Sequence, residues 1–379
     1  VSEVHESPDD ALVFAERFLE LLDSTRYSAT YKLAALLALI DVAAGTQTST
    51  GEASCVLSGR EIGLRVLEFY WPHSEPFIAS SVAAQGVLRQ SAQNDIPSKL
   101  AAFRSAHELQ LGASVADAQR ADPEVWNALE REVIRTVIRM PLAKLQRFTE
   151  GTTTTEDRFI YDFSWPDEVA NSVIEADGFD DRIVLRPRVG EWLVRLAPLL
   201  RPAIQTKWAD LVARRNTDLV DQRQLNEFLF GAQRINLTPI RQSLIDLQAG
   251  CCFYCGGSLQ NTAQVDHFLP WSRHPLNLLD NLVVADARCN AKKSASLAAL
   301  DHLEAWVARS EPQSPASEML ETIATEVSWP RNGNRTRSVA RALYLWLPET
   351  ARLWHHSDAF EQFDRDRCRV LLEADRSAA

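Results

Sequence analysis

Gly250-Cys251-Cys252-Phe253-Tyr254-Cys255-Gly256-Gly257 opens the stretch whose reading decides how the rest is understood. Val265-Asp266-His267-Phe268-Leu269-Pro270-Trp271-Ser272 comes next, and then Asp280-Asn281-Leu282-Val283-Val284-Ala285-Asp286-Ala287-Arg288-Cys289-Asn290-Ala291-Lys292-Lys293-Ser294. Asn261 to Val265 and Asn281 to Val284 are short, the second strongly β-forming, and bracket a loop containing Pro270, Pro275 and Asn277. That pattern predicts an antiparallel hairpin. Asp286 to Leu297 predicts a helix. Strand, loop, strand, helix would bring Asp266 and His267, ending one strand, beside Asn290 on the helix.

The residue types suit a particular chemistry. A hard divalent cation takes oxygen ligands, and Mg²⁺ accepts one or two from protein while leaving room for water and phosphate. Asp266 and Asn290 are candidates for that pair. His267 is expected to project beside the ion, free to take a proton from water, because its intrinsic pKa lies near neutrality. Asn281 is expected to hold the loop and the imidazole, not to react. Cys252, Cys255, Cys289 and Asp286 form a four-ligand set that zinc accepts. Thiols packed as small hydrophobes at a metal-free hairpin base are the competing account. Clustered cysteines read as a metal site more readily than as a disulfide framework.

With these residues quoted, the segment resembles the HNH nucleases, the ββα-metal (His-Me finger) family. The likeness rests on the Asp266-His267 pair, on Asn281 and Asn290 at their spacing, on Cys289 before Asn290, and on the flanking Cys252-x-x-Cys255 and Phe268-Leu269-Pro270-Trp271-Ser272. It implies that Asp266 and Asn290 bind a catalytic Mg²⁺ or Mn²⁺, that His267 is the general base and that Asn281 orients it. It also implies DNA as substrate, 5′-phosphate and 3′-hydroxyl ends, and a role in bacterial defence against phage or in restriction. One departure stands out. Relatives with a structural zinc usually carry a second Cys-x-x-Cys, and here Asp286 takes its first place. Two rivals stand beside this reading: a non-catalytic, zinc-knuckle-like nucleic-acid platform, and an HNH-type nuclease acting on RNA.

Working outward, 379 residues suggest several domains in a mainly α-helical chain with the ββα-metal module near its C-terminal third. The expected divisions are a helical 1–150 that senses, binds a regulatory partner or self-associates, a strand pair and basic helical region at 151–249, the nuclease module at 250–305, and a helical tail at 306–379. Ser7-Pro8-Asp9-Asp10 reads as the first helix start, followed by a face of Leu12, Ala15, Phe18, Leu19 and Leu22. Later helices are expected at Thr30 to Ala44, from Ser58 to Phe69 with Trp71-Pro72 as its stop, at Pro97, and from Pro123 to Phe148. Arg158 to Trp165 and Arg182 to Arg188 read as paired strands. Helices are also expected around Trp329, Trp346 and Trp354, with Arg331 to Arg337 a flexible basic turn.

The net charge of -11 disfavours a polyanion partner when taken alone. Its distribution weakens that objection. Residues 148 to 181 carry ten acids against one arginine, whereas residues 182 to 241 carry eleven basic side chains against five acids and lead into the cysteine-histidine segment. A local stripe counts for more than the total on a phosphate backbone. Arg273, Arg288, Lys292 and Lys293, with the arginines of 186 to 241, are therefore expected to grip nucleic acid. An acidic, polar start without a signal peptide and the lack of a long apolar run give a cytoplasmic expectation with no membrane partner.

Overall fold

The computed structural model describes residues 11–24, 29–48, 54–78, 85–91, 96–150, 152–217, 222–231, 236–259 and 263–373. The expected first helix start at Ser7 to Asp10 and the first strand residue Asn261 lie outside them. The chain divides into two compact units, Val1–Ala43 with Ser54–Arg234, and Ala44–Ala53 with Ile235–Ala379.

In the first unit, α1 (Ala11–Ser24) buries Phe14, Ala15, Phe18, Leu21 and Leu22. Leu12 and Leu19, expected on that face, are exposed. The helix α2 (Tyr31–Gly45) is apolar nearly all round and correspondingly buried, with Leu33 to Ile40 almost wholly removed from solvent. Its one carboxylate, Asp41, is fully buried and is paired by Arg65 and Arg201. Strand β1 (Val56–Ser58) leads into α3 (Gly59–His73), which Ser58 caps by accepting the Glu61 amide at 3.2 Å. Pro72 sits within the last turn of α3 instead of stopping it at Phe69.

After the two-residue strands β2 (Phe77–Ile78) and β3 (Gln85–Gly86), α4 (Ile96–Ala106), α5 (Val115–Ala121) and α6 (Pro123–Val137) follow. Gly63 lets α3 approach α6 closely, since a Cβ there would stand 3.0 Å from the Ile134 Cα. The helix expected to reach Phe148 widens into a π turn at Ile138–Leu142, where Pro141 cannot continue the ordinary ladder. A hairpin of β4 (Arg147–Glu150) and β5 (Thr153–Glu156) comes next. Then β6 (Tyr161–Phe163), α7 (Asn171–Glu175) and β7 (Arg182–Leu185) complete a three-stranded antiparallel sheet in the order β1-β7-β6. The paired strands read from sequence are β6 and β7. A strand from the expected all-helical 1–150 joins them, so a division at 150 runs through a sheet. The helices α8 (Val189–Arg195), α9 (Ala197–Arg215) and α10 (Gln222–Phe230) end this unit.

In the second unit, α11 (Thr238–Leu247) precedes the hairpin of β8 (Gln264–His267) and β9 (Leu282–Ala285), in register Asp266↔Val283 and His267↔Leu282. The helix α12 (Ala287–Lys293) completes the module, shorter than the expected run to Leu297. Then come α13 (Leu300–Arg309), α14 (Pro315–Glu326), α15 (Gly333–Tyr344), the hairpin β10 (Arg352–His356) with β11 (Ala359–Gln362), and α16 (Arg365–Glu373). Trp354 therefore lies on a strand, not in a helix. Ser357, at φ +47°, turns that hairpin. Ile240 and Leu244 of α11 and Leu320 and Ile323 of α14 pack around Leu282 and Val284, seating the hairpin in a helical bed. The mainly helical chain with a small β-containing module near its C-terminal third is thus as expected. Among the described residues no helix is long and apolar enough to cross a membrane.

Candidate functional site

Two elements set the site. On β8, Gln264 and Asp266 share one face by the two-residue pleat; on α12, Asn290 and Lys293 share one face by the helical i, i+3 spacing. The faces meet. Asn290 Nδ2 donates to Gln264 Oε1 at 2.7 Å, and Lys293 Nζ lies 3.0 Å from Asp266 Oδ2. Asp266 and Asn290 consequently stand on the same seam, although no hydrogen bond joins them. Tyr254 Oη donates to the same Asp266 Oδ2 at 2.6 Å. No described residue donates to Asp266 Oδ1 or to the Asn290 side-chain oxygen, and the Asp266 side chain keeps 12 % of its exposure. Two oxygen atoms with spare lone pairs on one partly open seam fit a hard divalent cation.

His267 is placed differently from expectation. Its imidazole is 8 % exposed instead of projecting to water, lies 5.3 Å from the Trp271 ring, and has Nε2 3.3 Å from Asn277 Oδ1. Burial depresses its pKa below the ordinary histidine value, while the nearby Asp266 carboxylate opposes part of that shift. The ring is therefore neutral near pH 7, the state a base requires. Asn277 contributes here through the loop fold, which no local spacing announced.

Asn281 is fully buried. Its Oδ1 accepts from the Leu269 amide at 2.8 Å, and Nδ2 donates to the carbonyls of Leu269 and Leu276 at 3.2 and 3.0 Å. It clamps both ends of the loop that follows His267 but makes no hydrogen bond to the imidazole. The turn that carries it is locked from behind. Asp280, fully buried, accepts from Arg331 Nε at 2.9 Å and from the Asn332 amide at 3.0 Å, and its carbonyl accepts from Trp306 Nε1 and Arg309. Arg331, expected in a flexible basic turn, is instead an anchor, and Asn332 caps α15.

Lys293 also needs correction. Grouped by sequence with cations facing phosphate, it is fully buried, bonded to Asp266 and, at 2.9 Å, to the His267 carbonyl. A side chain so placed presents no charge at the surface. Arg288 and Lys292 are exposed, the latter paired at 2.6 Å with Asp358; Arg273 is half-buried, donating to the Ala295 carbonyl. Much of the basic stripe is paired as well, Arg201 in a buried pair and the others in partly exposed ones. Arg186 pairs with Asp162, Arg195 with Glu191, Arg201 with Asp41 and Lys207 with Asp23, while Arg241 donates to the Ala263 carbonyl.

The second constellation is Cys252, Cys255, Asp286 and Cys289, whose ligand atoms all lie within 4.8 Å of one another. Tetrahedral zinc with bonds of about 2.3 Å would set sulfurs roughly 3.8 Å apart, so a small contraction closes the set. Gly256, at φ +67°, makes the knuckle turn and lets its amide donate to the Cys252 carbonyl. Asp286 is the N-cap of α12, its Oδ1 accepting from the amides of Arg288 and Cys289 at 2.9 Å, while Oδ2 accepts from the Cys255 thiol at 3.3 Å. Burial works against that carboxylate, but the Cys289 amide and the surrounding thiols outweigh it and hold its pKa well below the ordinary range. Burial pushes the Cys252 and Cys289 thiols up. Cys255 is exposed, which a merely packed thiol would not be. Three soft sulfurs and a carboxylate suit zinc better than Mg²⁺ or Mn²⁺.

A family model described as Domain of unknown function (DUF8808) matches residues 18–229, and one described as HNH endonuclease matches residues 252–299. No curated protein and no solved structure matches the chain. The second match spans the knuckle, the hairpin and α12. A small HNH-type nuclease domain with a three-cysteine, one-aspartate cluster is therefore present in a mainly helical, multidomain protein.

Proposed function

The chain belongs to the family described as Domain of unknown function (DUF8808), and we propose that, through the HNH-type domain beyond the matched region, it is a metal-dependent endonuclease hydrolysing DNA phosphodiester bonds. The observation that carries this reading is the pair of unengaged oxygens, Asp266 Oδ1 and the Asn290 amide oxygen, on the seam between β8 and α12. Those two would hold Mg²⁺ or Mn²⁺. When bound, such an ion supplies charge stabilisation to the phosphate and the leaving oxygen. His267, kept neutral by burial and donating from Nε2 to Asn277 Oδ1, takes a proton from water at its other ring nitrogen, Nδ1. Asn281 keeps the loop after His267 in one shape, because small misplacements of a base cost large factors in rate. Arg273, Arg288 and Lys292 hold the backbone. Ends bearing 5′-phosphate and 3′-hydroxyl, a role in defence against phage or in restriction, and a regulatory partner or self-association through the first unit belong to this reading by resemblance.

One observation favours a second reading. An imidazole with 8 % exposure also suits a non-catalytic module that binds nucleic acid on its zinc knuckle. The test is plasmid cleavage with Mg²⁺ by the wild type, His267→Ala and Asp266→Asn, with a parallel arm on single-stranded RNA. The expected result is cleavage of plasmid by the wild type alone while all three still bind it. Equal cutting by wild type and His267→Ala would remove the proposed base from the mechanism. Binding without cutting by any form would support the platform, and cutting confined to RNA would move the substrate.

A further inference from the structure

Of the two residues between the knuckle cysteines, the second is a buried tyrosine whose hydroxyl reaches the candidate metal-binding carboxylate. Tyr254 packs edge-on against His302 and Trp354, with ring centroids 5.4 and 5.2 Å away. The Phe253 amide, donating to the Val284 carbonyl at 2.9 Å, ties the knuckle to β9. A phenol so enclosed needs a polar partner, and the partner it has is Asp266 Oδ2 at 2.6 Å, within the range of charge-assisted bonds. Lys293 meets the same oxygen at 3.0 Å from the α12 side. The Tyr254 hydrogen bond and the Lys293 ion pair therefore converge on Oδ2, and no hydrogen bond from a described residue reaches Oδ1. The carboxylate cannot rotate without breaking one of them.

We propose that Tyr254 is a positioning residue: with Lys293 it pins Asp266 Oδ2, leaves Oδ1 as the single oxygen offered to a divalent cation, and so links the Cys252, Cys255, Asp286 and Cys289 cluster to the cleavage centre. This rests on the assignment of Asp266 as an ion ligand. The linkage follows from the chain path, since a metal closing the cluster fixes Cys252 and Cys255 at the two ends of the Phe253-Tyr254 segment and with them the direction of the Tyr254 hydroxyl. Partners one step behind a ligand typically change metal affinity by roughly ten- to a hundredfold when removed.

The test uses the full chain with Mn²⁺ as probe, its binding followed by electron paramagnetic resonance without nucleic acid. Tyr254→Phe keeps the ring packing and removes one oxygen. The expected result is Mn²⁺ binding weakened about tenfold, with bound zinc per chain unchanged and His267→Ala binding Mn²⁺ as the wild type does. In cleavage, kcat should fall at low Mn²⁺, recover as Mn²⁺ is raised, and leave KM for plasmid unaltered; a general structural defect would not be rescued by metal. Stripping the knuckle zinc should weaken Mn²⁺ binding in the wild type and much less in Tyr254→Phe. Equal Mn²⁺ affinity in Tyr254→Phe and wild type would overturn the proposal, as would equal sensitivity of the two to zinc removal. A wild type that cuts neither plasmid nor RNA while the Mn²⁺ affinities still separate would defeat the nuclease reading and leave this one in place.

Discussion

Asn281 shows how much one side chain can hold. It satisfies a backbone amide and two carbonyls that would otherwise be buried without partners. Asn281→Ala should cost roughly 3 kcal/mol, about 1 kcal/mol for each bond, and lower the urea midpoint of unfolding without changing the first unit. Asn281→Asp should be worse than its size suggests, because its second oxygen would face two carbonyls. His302 gives a pH-dependent counterpart. Burial depresses its pKa below 6.5, outweighing the hydrogen bond from Nε2 to the His355 carbonyl and the nearby Asp301 and Glu361 carboxylates, which oppose the shift, while the His355 ring charge adds to it. With the folded value below the unfolded one, the unfolded chain takes the proton first as pH falls through 6.5. Stability is then lost until the lower folded value is passed. Urea midpoints at pH 7.5 and 5.5 should therefore separate in the wild type, and less so in His302→Gln.

At the scale of elements, α12 is short, and much of what fixes it comes from Asp286. One carboxylate oxygen caps its first turn while the other faces the thiols, so cap and metal site depend on a single residue. Asp286→Asn keeps an acceptor for the cap and should leave metal-free stability nearly unchanged while weakening zinc. Asp286→Ala should lose the cap too, about 1 kcal/mol by thermal unfolding of the stripped protein. Asp286→Cys should bind zinc at least as tightly yet be less stable without it; loss of zinc in that variant would count against the cluster. Here the sequence was most readable. The hairpin, the start of α12 and the clustering of Cys252, Cys255, Asp286 and Cys289 were legible, because pleat period, turn residues and ligand spacing are local properties. What was not legible depends on distant packing. Trp271 and Asn277 bury His267 only when the loop closes, and Lys293 turns inward only because Asp266 and the His267 carbonyl wait there. Arg331 became an anchor because Asp280 is buried across fifty residues of chain. Trp354 fell on a strand because Ser357 turns the chain back at positive φ, a signal its sequence neighbours do not carry.

Over the whole molecule, charge decides what the protein can grip. The basic block at 182–241 was expected to face phosphate, yet much of it neutralises acids of its own unit, some of them in the neighbouring acidic block, as Arg186 does with Asp162. Lys293 is withdrawn into the site. Arg273, Arg288 and Lys292 are left beside the candidate centre, and the Lys292 pair with Asp358 is an exposed one that phosphate can displace. Each phosphate neutralised releases counterions, so the logarithm of affinity for duplex DNA falls with the logarithm of salt at about -0.9 per contact. Three cations predict a slope of about -2.7, and hence roughly a 40-fold loss between 50 and 200 mM salt; engagement of all eleven residues of the basic block would give a slope of about -10. Fluorescence anisotropy of a labelled duplex, read with His267→Ala to prevent cutting, measures that slope. Arg288→Ala and Lys292→Ala should each reduce it by about one. A slope near -10 that neither change alters would place the polyanion on the first unit's arginines, and their internal pairs would then have to open on binding.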